Sequence, residues 1–425
     1  MENRCGWILC GPSISKPANA APLSHPKGAH DGMLRAARRV FLRTCYWMTI
    51  FLLFLCAFQQ KVIAAEDALA THIDQIFAGL ADNKSPGVAV QVRKDGRTVF
   101  ERGYGVREFR TLAKIDTQTN FRLASCSKQF TAMSIMLLVH DGKLRYDTKL
   151  TDVFPDFPAY GKTITIRNLL NHTSGLPDYE DVMAAAEKRN SAPIWTPTRQ
   201  IQDGEVLRLL QQETAGKFAP GSQWSYSNSG YVVLGLVIAK ISGQPFREFL
   251  RERIFTPLKM SQTLAYESGK NEVAHRAYGH SKEANTWKET DQSPTSATLG
   301  DGGIYSSLTD LARWDEALAQ RTLLTEKEMQ AALTPAQLTD RVQPRWPPGS
   351  DRPAGTPVSY GFGWFLDPYR NRSRMWHYGD TIGFHTYIQR FPADRLTIIV
   401  LCNRTDLDPE SLASKVTDLY LPASK

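Results

Sequence analysis

Ser125 and Lys128 stand three residues apart in a Ser-Cys-Ser-Lys segment. Residues three apart on a helix share one face, so these two side chains can meet. A serine hydroxyl is a weak nucleophile that needs a base beside it, and a lysine can be that base where burial disfavours its ammonium form. The spacing therefore predicts a nucleophile with its proton acceptor, which is the chemistry of acyl transfer.

The four-residue pattern is weak by itself, because residues 13–16 match it too. There a proline follows at once and no apolar helix continues. Residues 128–140, by contrast, are apolar around most of a helical circumference, and the pattern stops at a glycine. A helix that is apolar all round is buried, so this context favours Ser125 as the reactive serine.

A tyrosine and an asparagine are the next candidates. Tyr226-Ser227-Asn228 lies in a Gly- and Ser-rich segment directly before a predicted buried helix over residues 231–241. A phenol beside a serine–lysine pair can relay a proton to a leaving group, and an asparagine amide can hold a substrate carbonyl. Taken alone, the segment is better explained as an ordinary helix N-cap with a packed tyrosine.

A histidine in a glycine-containing segment is the third candidate. His377-Tyr378-Gly379 precedes a predicted strand, and its glycine would let a substrate approach the backbone closely. A lone histidine is more often structural than catalytic, so the motif is weak on its own. His172 is predicted to hold a turn between helices, and His385 to pack beside the site.

Strand-like segments at both ends of the chain must position these residues. Two alternating runs flank the pair Asp95-Gly96, the signal of a tight hairpin. Residues 386–390 and 396–401 are strand-like as well, and a helix over residues 409–421 follows. Because the middle of the chain is helical in character, the pattern predicts an α/β (α+β) fold. One antiparallel sheet is built from both chain ends and flanked by helices, with a mostly α-helical inserted subdomain.

Taken in order, the motifs at Ser125, Tyr226 and His377 resemble those of the serine β-lactamase and penicillin-binding-protein superfamily, and most of all its class C β-lactamase-like branch. The resemblance extends over residues 86–403 and implies a β-lactamase/transpeptidase-like fold. Further segments similar to that branch are Phe121-Arg-Leu-Ala-Ser125, Asp141-Gly-Lys-Leu144 with Asp147, Leu169-Leu-Asn-His-Thr-Ser-Gly-Leu-Pro177, Gly302-Gly-Ile-Tyr-Ser306 and Tyr360-Gly-Phe-Gly-Trp364.

The resemblance implies a catalytic role for three side chains and a binding role for a fourth. Ser125 would form the acyl-enzyme. Lys128 and Tyr226 would share its proton and pass one to the leaving group. Asn228 would orient the substrate amide.

Two further implications concern recognition of the substrate. The oxyanion would sit between the backbone N–H groups of Ser125 and Asp380, the residue directly after Gly379. His377 takes the place where β-lactamases usually carry a lysine, which suits the anionic group of a β-lactam. Histidine there is common among peptidase and esterase members. This departure weakens the case for efficient β-lactam hydrolysis without removing acyl transfer.

Three functions remain open on this reasoning. The leading hypothesis is a serine hydrolase that cleaves D-alanyl peptides, amides or esters through an acyl-enzyme on Ser125. A second hypothesis is a true β-lactamase. The third is a catalytically poor protein that binds penicillin or peptidoglycan. The intact motifs argue against that third function, since a binding protein need not keep Lys128 or Tyr226.

The composition excludes several other classes of function. The leader described below carries most of the net charge of +8, so the remainder is nearly neutral and gives no indication of nucleic-acid binding. The nine histidines show no metal-ligand spacing, and no cofactor is predicted. The expected partner is a small-molecule or peptide substrate, with peptidoglycan fragments among the candidates.

Residues 1–65 are predicted to be a leader with an export signal. A cluster of arginines precedes an apolar run over residues 46–58, and small residues close the segment. The run is short for a membrane span, which favours cleavage. We therefore expect an exported, periplasmic protein with a hydrolase domain over residues 66–425. The alternative is an uncleaved leader that anchors the protein to the inner membrane.

Overall fold

The computed structural model describes residues 29–82, 84–190 and 192–422. Its helices are, in chain order, α1 (Ala29–Phe77), α2 (Lys128–His140), α3 (Leu150–Val153), α4 (Ile166–Leu170), α5 (Tyr179–Asn190), α6 (Asp203–Gln212), α7 (Asn228–Ser242), α8 (Phe246–Leu250), α9 (Leu308–Gln320), α10 (Glu326–Met329) and α11 (Pro409–Tyr420). Its strands are β1 (Val88–Lys94), β2 (Arg97–Tyr104), β3 (Val106–Glu108), β4 (Ala113–Lys114), β5 (Phe121–Arg122), β6 (Leu264–Ala265), β7 (His280–Glu283), β8 (Thr286–Glu289), β9 (Ile304–Ser306), β10 (Met375–Thr381), β11 (Phe384–Phe391) and β12 (Leu396–Cys402).

The chain divides into two compact units, Met1–Asp67 and Ala68–Lys425. The first part of the predicted leader, residues 1–28 with the second serine–lysine match, lies outside the described residues. The sequence of residues 66–80 predicts an amphipathic helix there, and the predicted start is wrong, because α1 begins at Ala29 and continues to Phe77. No proline or glycine interrupts residues 33–78, so nothing stops the helix. Among the described residues, we find no helix that is both long and apolar enough to cross a membrane.

One antiparallel sheet in the second unit unites strands from both ends of the chain. Its strand order is β10-β11-β12-β1-β2. β1 and β2 form the predicted hairpin, with positive φ angles at Asp95 and Gly96. β1 also pairs with β12, from Val88 opposite Cys402 to Lys94 opposite Leu396. The prediction that both chain ends build the sheet is therefore confirmed.

The middle of the chain is mainly helical, which confirms the predicted inserted subdomain. α2 begins and ends where the apolar pattern places it, and its side chains are buried from Lys128 to Leu138. α7 begins three residues before the predicted start, because Ser227 caps it by accepting a hydrogen bond from the Gly230 N–H. Since α2 packs against α7, their first residues, Lys128 and Asn228, come together.

Candidate active site

Lys128 lies at the centre of the site and contacts three oxygen atoms. Its Nζ atom lies 2.8 Å from Ser125 Oγ, 2.8 Å from Asn228 Oδ1 and 3.0 Å from the backbone oxygen of Asp301. Ser125 reaches Lys128 because a 3-10 turn, Ala124–Ser127, leads directly into α2 and keeps the two side chains on one face.

The Lys128 side chain is completely buried. Among the described residues, no carboxylate lies within ion-pair distance of its ammonium group. Burial lowers the pKa of Lys128 to about 8, against the opposing influence of the Asp301 and Asp178 carboxylates at longer range. A substantial fraction of the lysine is therefore neutral under mildly alkaline conditions, which is the form that can accept a proton.

The three partners of Lys128 differ in what they can do when it loses a proton. Asn228 Oδ1 and the Asp301 backbone oxygen are acceptors only. Each therefore accepts a hydrogen bond from one of the two N–H groups that remain on a neutral amine. The third direction, toward Ser125, then carries the lone pair. Because a hydroxyl can donate, the Ser125 O–H becomes the donor to Lys128. In this geometry, Ser125 is the group that can donate its proton to a neutral Lys128.

A sharp turn presents Ser125 beside strand β10. Ala124 has a φ of +46°, unusual for a residue with a side chain. A Cβ atom on Gly379 would lie 2.1 Å from the backbone oxygen of Leu123, so only glycine lets the strand come this close to the turn. The sequence-based explanation that Gly379 makes room for a substrate is therefore replaced: it makes room for the turn that carries Ser125. Asp380 follows in β10 and lines the same cleft as Ser125.

Tyr226 packs its ring against the lysine. Lys128 Nζ lies 4.8 Å from the centre of the Tyr226 ring, within the range of a cation–π contact. The phenol oxygen is buried and has no hydrogen-bond partner among the described residues. Burial raises the pKa of Tyr226 well above its ordinary value, although the neighbouring Ser125 hydroxyl opposes this. Tyr226 is therefore a neutral phenol beside the serine–lysine pair, able to donate and accept a proton but not to act as a standing phenolate.

His377 precedes the predicted strand at residues 386–390, which is part of β11, and it lies itself inside β10, a strand that the sequence did not predict. Its Nδ1 atom lies 2.6 Å from the backbone oxygen of Tyr378, which can only accept, so Nδ1 carries the proton. The Tyr360 hydroxyl must then donate to His377 Nε2, at 3.0 Å. Burial, with Lys128 nearby, lowers the pKa of His377 to about 3. This histidine is therefore neutral and contributes no positive charge to the site.

His172 supports the segment that carries Tyr226. It has a φ of +62° in the turn after α4 and is completely buried. Its Nδ1 accepts a hydrogen bond of 3.0 Å from the Ser227 N–H, and its ring centre lies 4.4 Å from that of Tyr226. His385 lies beside the site, with Nε2 3.0 Å from Asp380 Oδ1.

The cleft beside Ser125 contains charged groups that the sequence motifs do not single out. Asp301 directly precedes residues 302–306, a segment similar to the β-lactamase-like branch, and Glu180 lies in α5 with no motif around it. A glycine-rich context was the only sequence signal for Asp301. The described lining of the cleft consists of Arg122, Ala124, Ser125, Tyr179, Glu180, Asn228, Thr295, Thr298, Asp301, Gly302, Asp380 and Thr381.

Comparison with known proteins gives consistent matches. A sequence profile of the family described as Beta-lactamase matches residues 73–419. A penicillin-binding protein of Bacillus subtilis (strain 168) is 31% identical over 348 residues, covering 79% of this chain and 72% of the relative. A D-aminopeptidase of Cereibacter sphaeroides is 27% identical over 326 residues, covering 75% of this chain and 57% of the relative. The solved D-amino acid amidase of Ochrobactrum anthropi SV3 has a TM-score of 0.67 and 25% identity, covering 83% of this chain and 98% of that one.

Proposed function

The chain belongs to the beta-lactamase family and is a serine hydrolase, and from this premise we propose that it forms an acyl-enzyme on Ser125 and cleaves amides, esters or short peptides of D-amino acids. The D-aminopeptidase and the D-amino acid amidase among its relatives support this substrate class. The refinement to the class C-like branch rests on the motifs alone.

The observation that carries the proposal is the contact between Lys128 Nζ and Ser125 Oγ, 2.8 Å long. Neutral Lys128 accepts the serine proton while Ser125 Oγ attacks the substrate carbonyl. The proton then passes to the leaving amine or alkoxide by way of the neutral Tyr226 phenol, and the bond from carbonyl to leaving group breaks. Water then hydrolyses the ester on Ser125 and restores the free enzyme.

Two serines of the same turn provide a matched test of the nucleophile. Ser125 faces the cleft, whereas Ser127 is completely buried and its Oγ accepts a hydrogen bond from the Ile304 N–H. Incubation with a fluorophosphonate, followed by intact-mass measurement, should give one adduct on the wild type and on Ser127→Ala. Ser125→Ala should give none. An adduct that persists on Ser125→Ala would overturn the assignment.

The neutral His377 favours amide and ester substrates over β-lactams. With its pKa lowered to about 3, the side chain offers no cation to the carboxylate of a β-lactam at physiological pH. We therefore expect turnover of D-amino acid amides to exceed turnover of nitrocefin. Faster hydrolysis of nitrocefin than of any D-amino acid amide in a small panel would favour the β-lactamase alternative instead.

The cellular location and the natural substrate complete the proposal. We propose that the leader directs export, so that peptidoglycan-derived peptides in the periplasm are the natural substrates. The cluster of arginines before the apolar run at residues 46–58 supports export. N-terminal sequencing of the protein from cell fractions tests this: a mature chain that begins near residue 66 in the periplasmic fraction is expected. Full-length protein in the cytoplasm would contradict it.

A further inference from the structure

The cleft beside Ser125 is lined by more acidic than basic side chains. Its charged lining residues are Arg122, Glu180, Asp301 and Asp380. Asp380 is paired with His385, whereas the other two carboxylates have no ion-pair partner among the described residues. An excess of negative charge at a substrate cleft favours a positively charged ligand.

Asp301 is the best placed of these carboxylates. The residue is only 6% exposed, and its Oδ2 accepts a hydrogen bond of 3.3 Å from the Tyr179 hydroxyl. Its other oxygen, Oδ1, is buried without any hydrogen-bond partner among the described residues. A buried carboxylate oxygen without a donor is costly, and a charged donor from a ligand would remove that cost.

Glu180 supplies a second carboxylate at the more open side of the cleft. It is solvent-exposed at the start of α5, and no described side chain donates to its carboxylate. Although the residue as a whole is exposed, the cleft walls desolvate its carboxyl group, which together with the nearby carboxylates Asp178 and Asp301 raises the pKa of Glu180 to about 7. Such repulsion between like charges is relieved when a cation enters between them.

Arg122 opposes the binding of a cation, because it is the basic residue among the described lining residues of the cleft. Its Nε and Nη2 donate to the backbone oxygens of Gly302 and Ser296, at 3.3 and 2.9 Å, and its Nη1 has no partner within the described part of the chain. Two backbone carbonyls thus hold the guanidinium in place, but they do not cancel its charge. Asp301 Oδ1 and the Glu180 carboxylate, by contrast, have no donor among the described residues, and these oxygens favour a cationic over an anionic ligand.

We propose that Asp301 and Glu180 bind the protonated amino group of the substrate, so that the preferred substrates carry a free amine on the carbon next to the scissile carbonyl. The position of Asp301 fits this role, since its backbone oxygen bonds Lys128 Nζ, which in turn bonds Ser125 Oγ. Its side chain lines the same cleft as Ser125. The proposal rests on the function of Ser125 proposed above.

An ammonium group at this place also assists the chemistry. Lys128 must be neutral to accept the Ser125 proton, and a second positive charge close by disfavours its ammonium form. A free-amine substrate would thus favour the active state of the base, whereas an anionic substrate would favour the inactive state. Binding and activation act in the same direction only for a cationic substrate.

The test compares D-alanine para-nitroanilide with its des-amino analogue, propionic acid para-nitroanilide, which lacks the charge without adding bulk. For the wild type, kcat/KM should favour the free amine by at least about tenfold, the effect of one hydrogen bond to a charged group. Asp301→Asn should bring this ratio close to one, and Glu180→Gln should lower it by a smaller factor. Asp156→Asn is the control, since Asp156 is exposed and does not line the cleft.

Each other outcome has a distinct meaning. If neither anilide nor an activated ester is turned over, and no fluorophosphonate adduct forms on Ser125, the proposed function fails. If Ser125 reacts but the des-amino analogue is cleaved as well as the free amine, only the ammonium subsite is refuted. A preference for D-alanyl peptides that end in a free carboxylate would refute the ammonium subsite and would mean that the cleft binds an anionic group through Arg122. If Asp301→Asn lowers kcat/KM for both anilides by the same factor, Asp301 acts only by changing the pKa of Lys128.

Discussion

The His172 ring accepts, at Nδ1, a hydrogen bond of 3.0 Å from the backbone N–H of Ser227. This bond joins the turn after α4 to the segment that carries Tyr226 and Asn228. Because burial lowers the pKa of His172 well below its ordinary value, Nδ1 keeps its lone pair at all physiological pH values. His172 is therefore a positioning residue for the site and does not itself touch the reacting atoms.

Replacing His172 by phenylalanine should loosen this segment. His172→Phe keeps a ring of similar shape but leaves the Ser227 N–H buried without an acceptor, at a cost of about 1–3 kcal/mol. His275→Phe is the matched control, since His275 also has a positive φ, of +48°, but its side chain is exposed. Urea unfolding should show a larger loss of stability for His172→Phe, and its kcat should fall. Equal losses in the two variants would assign the whole effect to backbone strain.

Replacing Lys128 by methionine should stop acylation without unfolding the protein. Methionine fills a similar volume, and the cost of burying an ammonium group disappears together with its three hydrogen bonds. Loss of the general base should lower the acylation rate by about 10²–10⁴ fold. Stopped-flow measurement with an activated ester gives the rate, and circular dichroism checks the fold. Wild-type acylation in a folded Lys128→Met variant would refute the role of the lysine.

The sequence predicts the bounds of α2, the β1–β2 hairpin and the contact between Ser125 and Lys128, because each of these depends on a local pattern. The bounds of α2 follow from a run of apolar residues, and the β1–β2 hairpin from a single Asp-Gly pair. The contact between Ser125 and Lys128 follows from a spacing of three residues. These features need no knowledge of which distant segments meet.

The charge pattern of the cleft could not be predicted, because it depends on contacts between distant segments. Asp301 meets Lys128 across 173 residues, and Glu180 belongs to a different helix from either. The neutral state of His377 likewise follows from burial and from the Tyr360 hydroxyl 17 residues before it. In the sequence, no motif marks Glu180 or Asp301 as part of a site, and nothing around His377 sets its protonation state.

The pH dependence of acylation should report the titration of Lys128. The lysine is active when neutral, so kcat/KM for an uncharged ester should be low in acid and rise with pH, with a midpoint near pH 8. His377, whose pKa is lowered to about 3, should add no inflection between pH 5 and 8, the range where histidines ordinarily titrate. Cys126 and the carboxylates Asp178, Glu180 and Asp301 all favour the ammonium form of Lys128.

Glu180→Gln provides the check on this assignment. Removing one carboxylate that stabilises the ammonium form should move the midpoint to lower pH. A midpoint close to pH 10, the ordinary value for lysine, would mean that Lys128 is not desolvated in the working enzyme. A midpoint that stays in place in Glu180→Gln would exclude electrostatic coupling between the two groups.

Tyr226 and Tyr231 both present their rings to Lys128, at 4.8 and 5.6 Å from Nζ, but their hydroxyl groups differ. The Tyr226 hydroxyl has no hydrogen-bond partner among the described residues, whereas Tyr231 donates to the Leu170 oxygen and accepts from the Gly363 N–H. Tyr226→Phe should therefore keep the stability of the wild type, and Tyr231→Phe should lose about 1–3 kcal/mol for each buried group left unpaired.

In catalysis, by contrast, Tyr226→Phe should have the larger effect on the ratio of amide to ester turnover, and Tyr231→Phe should have none. If the Tyr226 phenol passes the proton to the leaving group, its removal should slow amide cleavage by about 10²–10⁴ fold. Hydrolysis of a para-nitrophenyl ester of the same acid should slow far less, because nitrophenolate leaves without a proton. Tyr231→Phe should leave the ratio of amide to ester turnover unchanged. Equal slowing of both substrates in Tyr226→Phe would place the phenol in the attack of Ser125 rather than in departure of the leaving group.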